Sequence, residues 1–210
     1  MKYLKMLGLA AVAAMALTAF GAGTASATTL ATSGTAENAS ITIEASIKPG
    51  TSAVLRTTGG LFANTCTESN VLGKTVAPFT KAPTEEEPKA RIGGPIETLT
   101  FKKCSEEEVK VDENGELDIE WISGTTNGTV RSKGAKVTVP SPFGKLTCTT
   151  GAGTDIGTLT GVTKAQEEAE PPVKHATMDI NGVINCGIIP SALWQGTYTV
   201  TGPTGLGVES

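Results

Sequence analysis

Thr-Cys-Thr occurs twice in this chain, at Thr65–Thr67 and Thr147–Thr149, and each copy is followed by one further cysteine 38 positions after its own. The four cysteines, Cys66, Cys104, Cys148 and Cys186, are therefore spaced 38, 44 and 38 apart, and the second pair lies 82 positions after the first. Other landmarks recur at nearly the same offset. Thr80-Lys81-Ala82 precedes Glu85-Glu86-Glu87-Pro88, and Thr163-Lys164-Ala165 precedes Glu167-Glu168-Ala169-Glu170-Pro171. Gly115-x-Leu117-x-Ile119 is matched by Gly196-x-Tyr198-x-Val200. Common order and a drift of one residue predict an internal duplication of about 80 residues, with half-repeats at 39–122 and 123–203. Such a unit has few large apolar side chains and buries little surface alone. The halves are expected to pack together as one domain, 39–210.

The same cysteines bear on compartment. Residues 1–27 read as a signal peptide. Lys2 and Lys5 form a short basic start, Leu7 to Phe20 is an uncharged apolar run, and Ala25-Ser26-Ala27 places small residues where a signal peptidase cuts. The apolar run is shorter than the ~20 residues of a membrane span. Residues 28–38 are expected to form a flexible lead-in, and the mature chain to be secreted, extracellular or in the envelope, with no membrane span. In an oxidising space four cysteines predict two disulfides. Three pairings are possible; the duplication favours Cys66–Cys104 with Cys148–Cys186, each closing 38 residues and worth about 4 kcal/mol in the loop-entropy model. Zinc sites bring ligands in close pairs such as Cys-x-x-Cys, and the chain has none. Without Lys2 and Lys5, the 17 basic residues fall to 15 against 21 acidic, a net charge of −6. Nucleic-acid binding rests on clustered Lys and Arg, so this balance argues against it.

Period-two alternation of β-branched residues points to strands. Ile41, Ile43, Ala45 and Ile47 share one face, as do Leu117, Ile119 and Trp121. Roughly nine to eleven such segments, broken by Gly, Pro and Asn clusters, have the spacing of an antiparallel sandwich or barrel. Asn114-Gly115 predicts a two-residue hairpin turn, because both positions tolerate positive φ.

Each candidate site has a plain structural alternative. The Glu85–Glu87, Glu106–Glu108 and Glu167–Glu170 runs could supply paired carboxylates, but glycoside cleavage needs them facing across a cleft. Solvated turns account for them better. Asp112 to Asp118 offers oxygens at alternate positions, like a calcium loop. The EF-hand pattern wants Gly sixth and Glu twelfth, whereas Gly115 is fourth. His175 is the only histidine. A triad would need it beside a serine and Asp155 or Asp179, with no Gly-x-Ser-x-Gly elbow present. Trp121 and Trp194 could line a sugar-binding face; in a chain this poor in aromatics they are expected as core anchors. Asn38 and Asn127 begin glycosylation sequons, relevant only in a eukaryotic host. No catalytic, cofactor-binding or metal residues are assigned, and no cofactor is expected.

The segments "AMALTAFGAGTASA", "ANTCTESNVLGKT", "PSPFGKLTCTTG" and "WQGTYTVTGPTGLGV" resemble a loose group of secreted, Thr-rich β proteins of high-GC Gram-positive bacteria (actinobacteria). That resemblance implies export and a β-rich fold; no activity or site residues come with it. The expected architecture is an all-β antiparallel sandwich, immunoglobulin-like in shape. Within each cysteine pair the Cys…Trp…Cys order of immunoglobulin domains is missing, since both tryptophans follow their second cysteine. The expected role is a non-enzymatic structural or interaction module, with a polysaccharide or a surface protein as partner. The alternative is a secreted hydrolase acting on glycan or ester.

Overall fold

A computed structural model describes residues 27–85, 89–142, 144–187 and 189–210. All of the expected signal peptide but Ala27, together with Glu86 and Glu87, lies outside the described residues. Sixteen strands are described in chain order: β1 (Thr28–Thr32), β2 (Thr35–Ala36), β3 (Thr42–Ile47), β4 (Ala53–Thr57), β5 (Ala63–Lys74), β6 (Thr80–Lys81), β7 (Ile92–Cys104), β8 (Lys110–Glu113), β9 (Glu116–Trp121), β10 (Gly128–Lys133), β11 (Lys136–Ser141), β12 (Gly144–Thr149), β13 (Thr154–Thr160), β14 (Thr177–Cys186), β15 (Ile189–Gly202) and β16 (Leu206–Glu209). One turn of helix, α1 (Lys164–Glu167), precedes β14. Its capping box is reciprocal between Thr163 and Gln166.

Alternation makes the strands. In β14, Met178, Ile180, Ile184 and Cys186 are buried, while Asp179, Asn181, Val183 and Asn185 face solvent. The expected sandwich is corrected to a barrel. β3 is hydrogen-bonded on both edges: Ala45 pairs with Val200 of β15 and with Val71 of β5. That closes an eight-strand antiparallel ring, β3-β5-β7-β9-β10-β13-β14-β15. A sandwich needs two sheets with edges between them. Here β5, β7, β14 and β15 run 10 to 14 residues, long enough to wrap one sheet on itself.

The same long strands carry a second layer of pairing at their other ends. β4 lies in line with β3 in the slot between β15 and β5, after an interruption at residues 48–52. β8, β11 and β12 form a three-stranded sheet that reaches β14 through Thr149 and Asn185. Pairings of the first half have counterparts in the second. β4–β5 corresponds to β11–β12, and β3–β5 to β10–β13. β9–β10 corresponds to β15–β3, and β8–β11 to β15–β4.

The best local turn signal is also corrected. Asn114-Gly115 does not fold β8 back on β9, because the two strands pair with different partners, β11 and β7. The dipeptide is a corner between sheets. Gly115 adopts φ 73°, and a Cβ there would lie 2.4 Å from the Ala135 nitrogen, so glycine is required for closeness as well as conformation.

The segment expected as a flexible lead-in carries β1, and Thr28 to Ala31 are buried. β1 is the central strand of a small sheet with β2, β6 and β16. Leu30, Leu206 and Val208 from that sheet plug one barrel mouth. The Thr28 hydroxyl donates to the Ala90 carbonyl (2.9 Å) and accepts from the Trp121 amide (3.2 Å). Side chains fill the rest. A cavity of ≈ 50 Å³ remains among Leu30, Val71, Leu159, Met178 and Val200, and one of ≈ 30 Å³ beside Cys66, Cys148, Phe101, Val137 and Trp194. Each is apolar and has room for a few waters at most.

Candidate functional site

Both disulfides join the cysteines nearest in chain, Cys66–Cys104 and Cys148–Cys186. The first bridges directly opposed residues of β5 and β7, and the second joins β12 to β14 next to their one paired position, Thr149–Asn185. The second staples strands that share a single paired position, whereas the first lies at the end of a seven-pair ladder.

The residues singled out from sequence do not converge. Trp194 is buried and meets Phe101 (5.7 Å) and Tyr198 (6.4 Å) edge to face. Trp121 is half-buried near the cap, its Nε1 donating to the Thr125 carbonyl (2.7 Å). No sugar-stacking platform joins them. His175 lies ahead of β14, its Nδ1 3.0 Å from the Val200 carbonyl oxygen. Asp155 is ion-paired with Arg131, and Asp179 accepts from the Thr197 hydroxyl (2.7 Å). Asp112 and Asp118 stand on different sheets. Asp112 accepts from Lys110 and from Thr138, both at 2.6 Å, and these bonds hold its carboxyl below the usual range. Burial, then the neighbouring Glu116, raises Asp118. Among the described residues no group of three acidic, imidazole or thiol side chains could hold a metal, and no helix is long and apolar enough to cross a membrane. Glu167 accepts from Ser33 (2.9 Å), and Glu106–Glu108 are exposed on the loop after β7.

Three features were not anticipated. The first is a surface cleft of ≈ 280 Å³ where β3 gives way to β4, lined by Ser46 to Thr51 and by Thr67 to Asn70. Extruding residues 48–52 leaves Thr67 to Ser69 of β5 unpaired on that edge. The second is a row of polar side chains next to it. Thr160, Thr177, Thr199, Ser46, Asn70 and Thr100 are successive cross-strand neighbours. They face outward, since Leu159, Met178, Tyr198, Ala45, Val71 and Leu99 beside them are buried. Six strands at ~4.8 Å give a band about 24 Å long, made of hydroxyls and one amide. Thr-x-Thr alternation in "GTYTVT" and "TLTF" signals such positions; only the register aligns them.

The third is Asn64, a fully buried polar side chain. Its Nδ2 donates to the Glu107 carbonyl (3.2 Å), and its Oδ1 accepts from Ser105 Oγ and the Glu106 amide, both at 3.4 Å. It ties the Ser105–Val109 loop to β5. Aligning the two Thr-Cys-Thr motifs exposes it, because Leu146 holds the same place in the second half. Beneath the hydroxyl row, Tyr198 bonds Ser69 (2.9 Å). Burial pushes its phenol up to about 12, the Ser69 hydroxyl offsetting part of the shift.

No protein-family model, curated protein or solved structure matches the chain significantly.

Proposed function

We propose that the chain is exported and acts as a non-catalytic, disulfide-stapled β-barrel module of the envelope or medium. Its outer hydroxyl row and adjoining cleft hold a neutral polysaccharide. One observation carries this reading: the interior is packed with side chains, while a continuous uncharged band of hydrogen-bonding groups lies outside, beside a surface cleft of ≈ 280 Å³. A neutral glycan is matched by hydroxyl and amide donors and acceptors without charge. The two disulfides are compatible with an oxidising compartment. We read the halves as copies of one unit of about 80 residues, a reading supported by the matched pairings.

The test is pull-down of residues 28–210 on insoluble polysaccharides, beside a glycan array. Retention on a neutral glycan is expected, and loss of it in the Thr177→Val/Thr199→Val double variant at unchanged melting temperature. No retention on any glycan, or retention indifferent to these substitutions, overturns the assignment. The hydrolase alternative needs two carboxylates facing across a groove. The cleft lining contributes Glu68, which is ion-paired with Lys103. Turnover in a generic glycosidase and esterase screen would restore that alternative.

A further inference from the structure

The two bridges stand in different surroundings. Cys66, Cys148 and Cys186 are each at most 2% exposed, whereas Cys104, the last residue of β7, is half-buried. β7 is paired with β9 only from Ile92 to Pro95, and β8 lies beside it with no residue paired to it, its partner being β11. That seam in the wall runs to Cys104. In the second half the ladder is closed beside the bridge: β14 and β15 stay paired from Thr177–Thr199 to Cys186–Ile189. Lys102 and Lys103 precede Cys104 and Glu106–Glu108 follow it, all exposed. Charges of both signs therefore flank it, and access is what separates the two bridges. Attack of a thiol on a disulfide depends on which sulfur can be reached.

The accessible bridge also anchors one wall of the surface cleft. Thr67, Glu68, Ser69 and Asn70 of β5 form that wall. Toward β3 and β4 the pairing stops at Ser46–Asn70 on one side and at Ala53–Cys66 on the other, so Thr67 to Ser69 have no partner strand there. Toward β7 the ladder skips Thr67, where Lys103 adopts φ 52°, and resumes at Glu68–Lys102. At the skip the strands are joined by the disulfide and by the Thr67 hydroxyl donating to the Lys103 carbonyl (3.5 Å). The Lys103–Glu68 ion pair, with side chains 69% and 45% exposed, adds a third tie. An exposed pair contributes little, so the covalent bond is the strong tie at that end of the wall. The ladder from Glu68–Lys102 to Gly73–Ile96 does not depend on it, and the barrel stays folded when it opens. None of the cleft-lining residues belongs to β12 or β14, the strands that Cys148–Cys186 joins.

We infer that Cys66–Cys104 is a redox switch of the cleft: a small thiol opens it while Cys148–Cys186 stays closed, and the reduced form frees Thr67–Asn70. The attacking thiolate forms a bond to Cys104 Sγ. The S–S bond breaks, and its electron pair leaves on Cys66 Sγ, which takes up a proton. With a dithiol, the second thiolate then attacks the mixed disulfide. A cyclic oxidised dithiol departs, and the Cys104 sulfur takes up a proton. Two electrons and two protons have passed to the bridge, and the dithiol has been oxidised. Exchange with a small disulfide runs the same steps backwards and closes the bridge. The inference concerns the wall of the cleft, independently of any glycan.

The mature protein, residues 28–210, is held in native buffer with dithiothreitol. Samples are quenched with iodoacetamide, and peptide mapping follows the alkylation of each cysteine with time. Cys66 and Cys104 are expected to become alkylated together, at least about tenfold faster than Cys148 and Cys186. In the singly reduced protein, amide exchange should rise at Thr67–Asn70 and stay unchanged in β12 and β14. Cys66→Ser/Cys104→Ser should show the same raised exchange without reductant and no further change when dithiothreitol is added; its melting curve establishes that it folds. The inference is overturned if the bridges open at equal rates, if Cys148–Cys186 opens first, or if neither opens short of unfolding. Selective opening that leaves exchange at Thr67–Asn70 unaltered overturns it as well.

Discussion

The two cysteine-bounded units solve one problem in different ways. In the second, β14 passes into β15 within two residues of Cys186 and the strands remain zipped beside the disulfide. In the first, five residues separate Cys104 from β8, and β7 and β8 part. Position by position, Leu146 packs in one unit where Asn64 is buried in the other. A short turn keeps the ladder and lets an apolar side chain face inward. A longer loop breaks the ladder and needs a buried amide to satisfy its backbone. Loop length therefore decides both the seam and the chemistry beneath it.

The sharpest way to break this comparison is to remove the staples one at a time. Each closes a 38-residue interval, worth about 4 kcal/mol in the loop-entropy model. Cys148→Ser/Cys186→Ser should lower denaturation midpoints more than Cys66→Ser/Cys104→Ser, because β12 and β14 share one paired position whereas β5 and β7 stay laddered over seven. Equal losses in guanidinium titrations would mean that the ladder between the bridged strands does not matter. Next in size, Leu146→Ala should cost about 3 kcal/mol as a buried large-to-small change, measured by the same titrations.

Alkaline pH probes the zipped side. The Tyr198 pKa is raised to about 12 from an ordinary value of 10.0. A raised value favours the neutral phenol in the folded state, so the stability it contributes is complete below pH ~10 and lost as pH climbs toward 12. The linkage amounts to about 2–3 kcal/mol. Tyr198→Phe should flatten the stability profile between pH 10 and 12, and an unchanged slope would remove Tyr198 as the cause. Smallest is Asn64→Leu, which installs the residue of the other unit. It should cost about 1 kcal/mol and raise amide exchange selectively at Ser105–Val109. Unaltered exchange there would show that the loop is held by something other than Asn64.

Legibility from sequence followed the range of the interactions concerned. Strand faces were readable, because alternation is local: Ala45 and Ile119 are buried as their patterns require. At Ile96 and Leu99 the rule breaks, since both are buried three residues apart. A register shift opposite Leu72/Gly73 turns the strand between them. The Asn114-Gly115 signal correctly marked a glycine with positive φ but not what it joined. A turn type does not say whether its flanking strands pair with each other or with distant partners. β1 was missed because a five-residue Thr-rich strand has no pattern of its own; β16, some 170 residues away, makes it one. The hydroxyl row was invisible for the same reason.

What the amino-acid order determined by itself was the all-β character and the residues that can face inward; it favoured one of three cysteine pairings without fixing it. The first two follow from side-chain period; the preference among pairings came from the repeated spacing of 38. What only the tertiary structure decided was closure into a barrel, the alignment of polar residues across six strands and the seam beside β7. Those depend on register between strands far apart in sequence, where a shift of one residue turns every side chain to the opposite face.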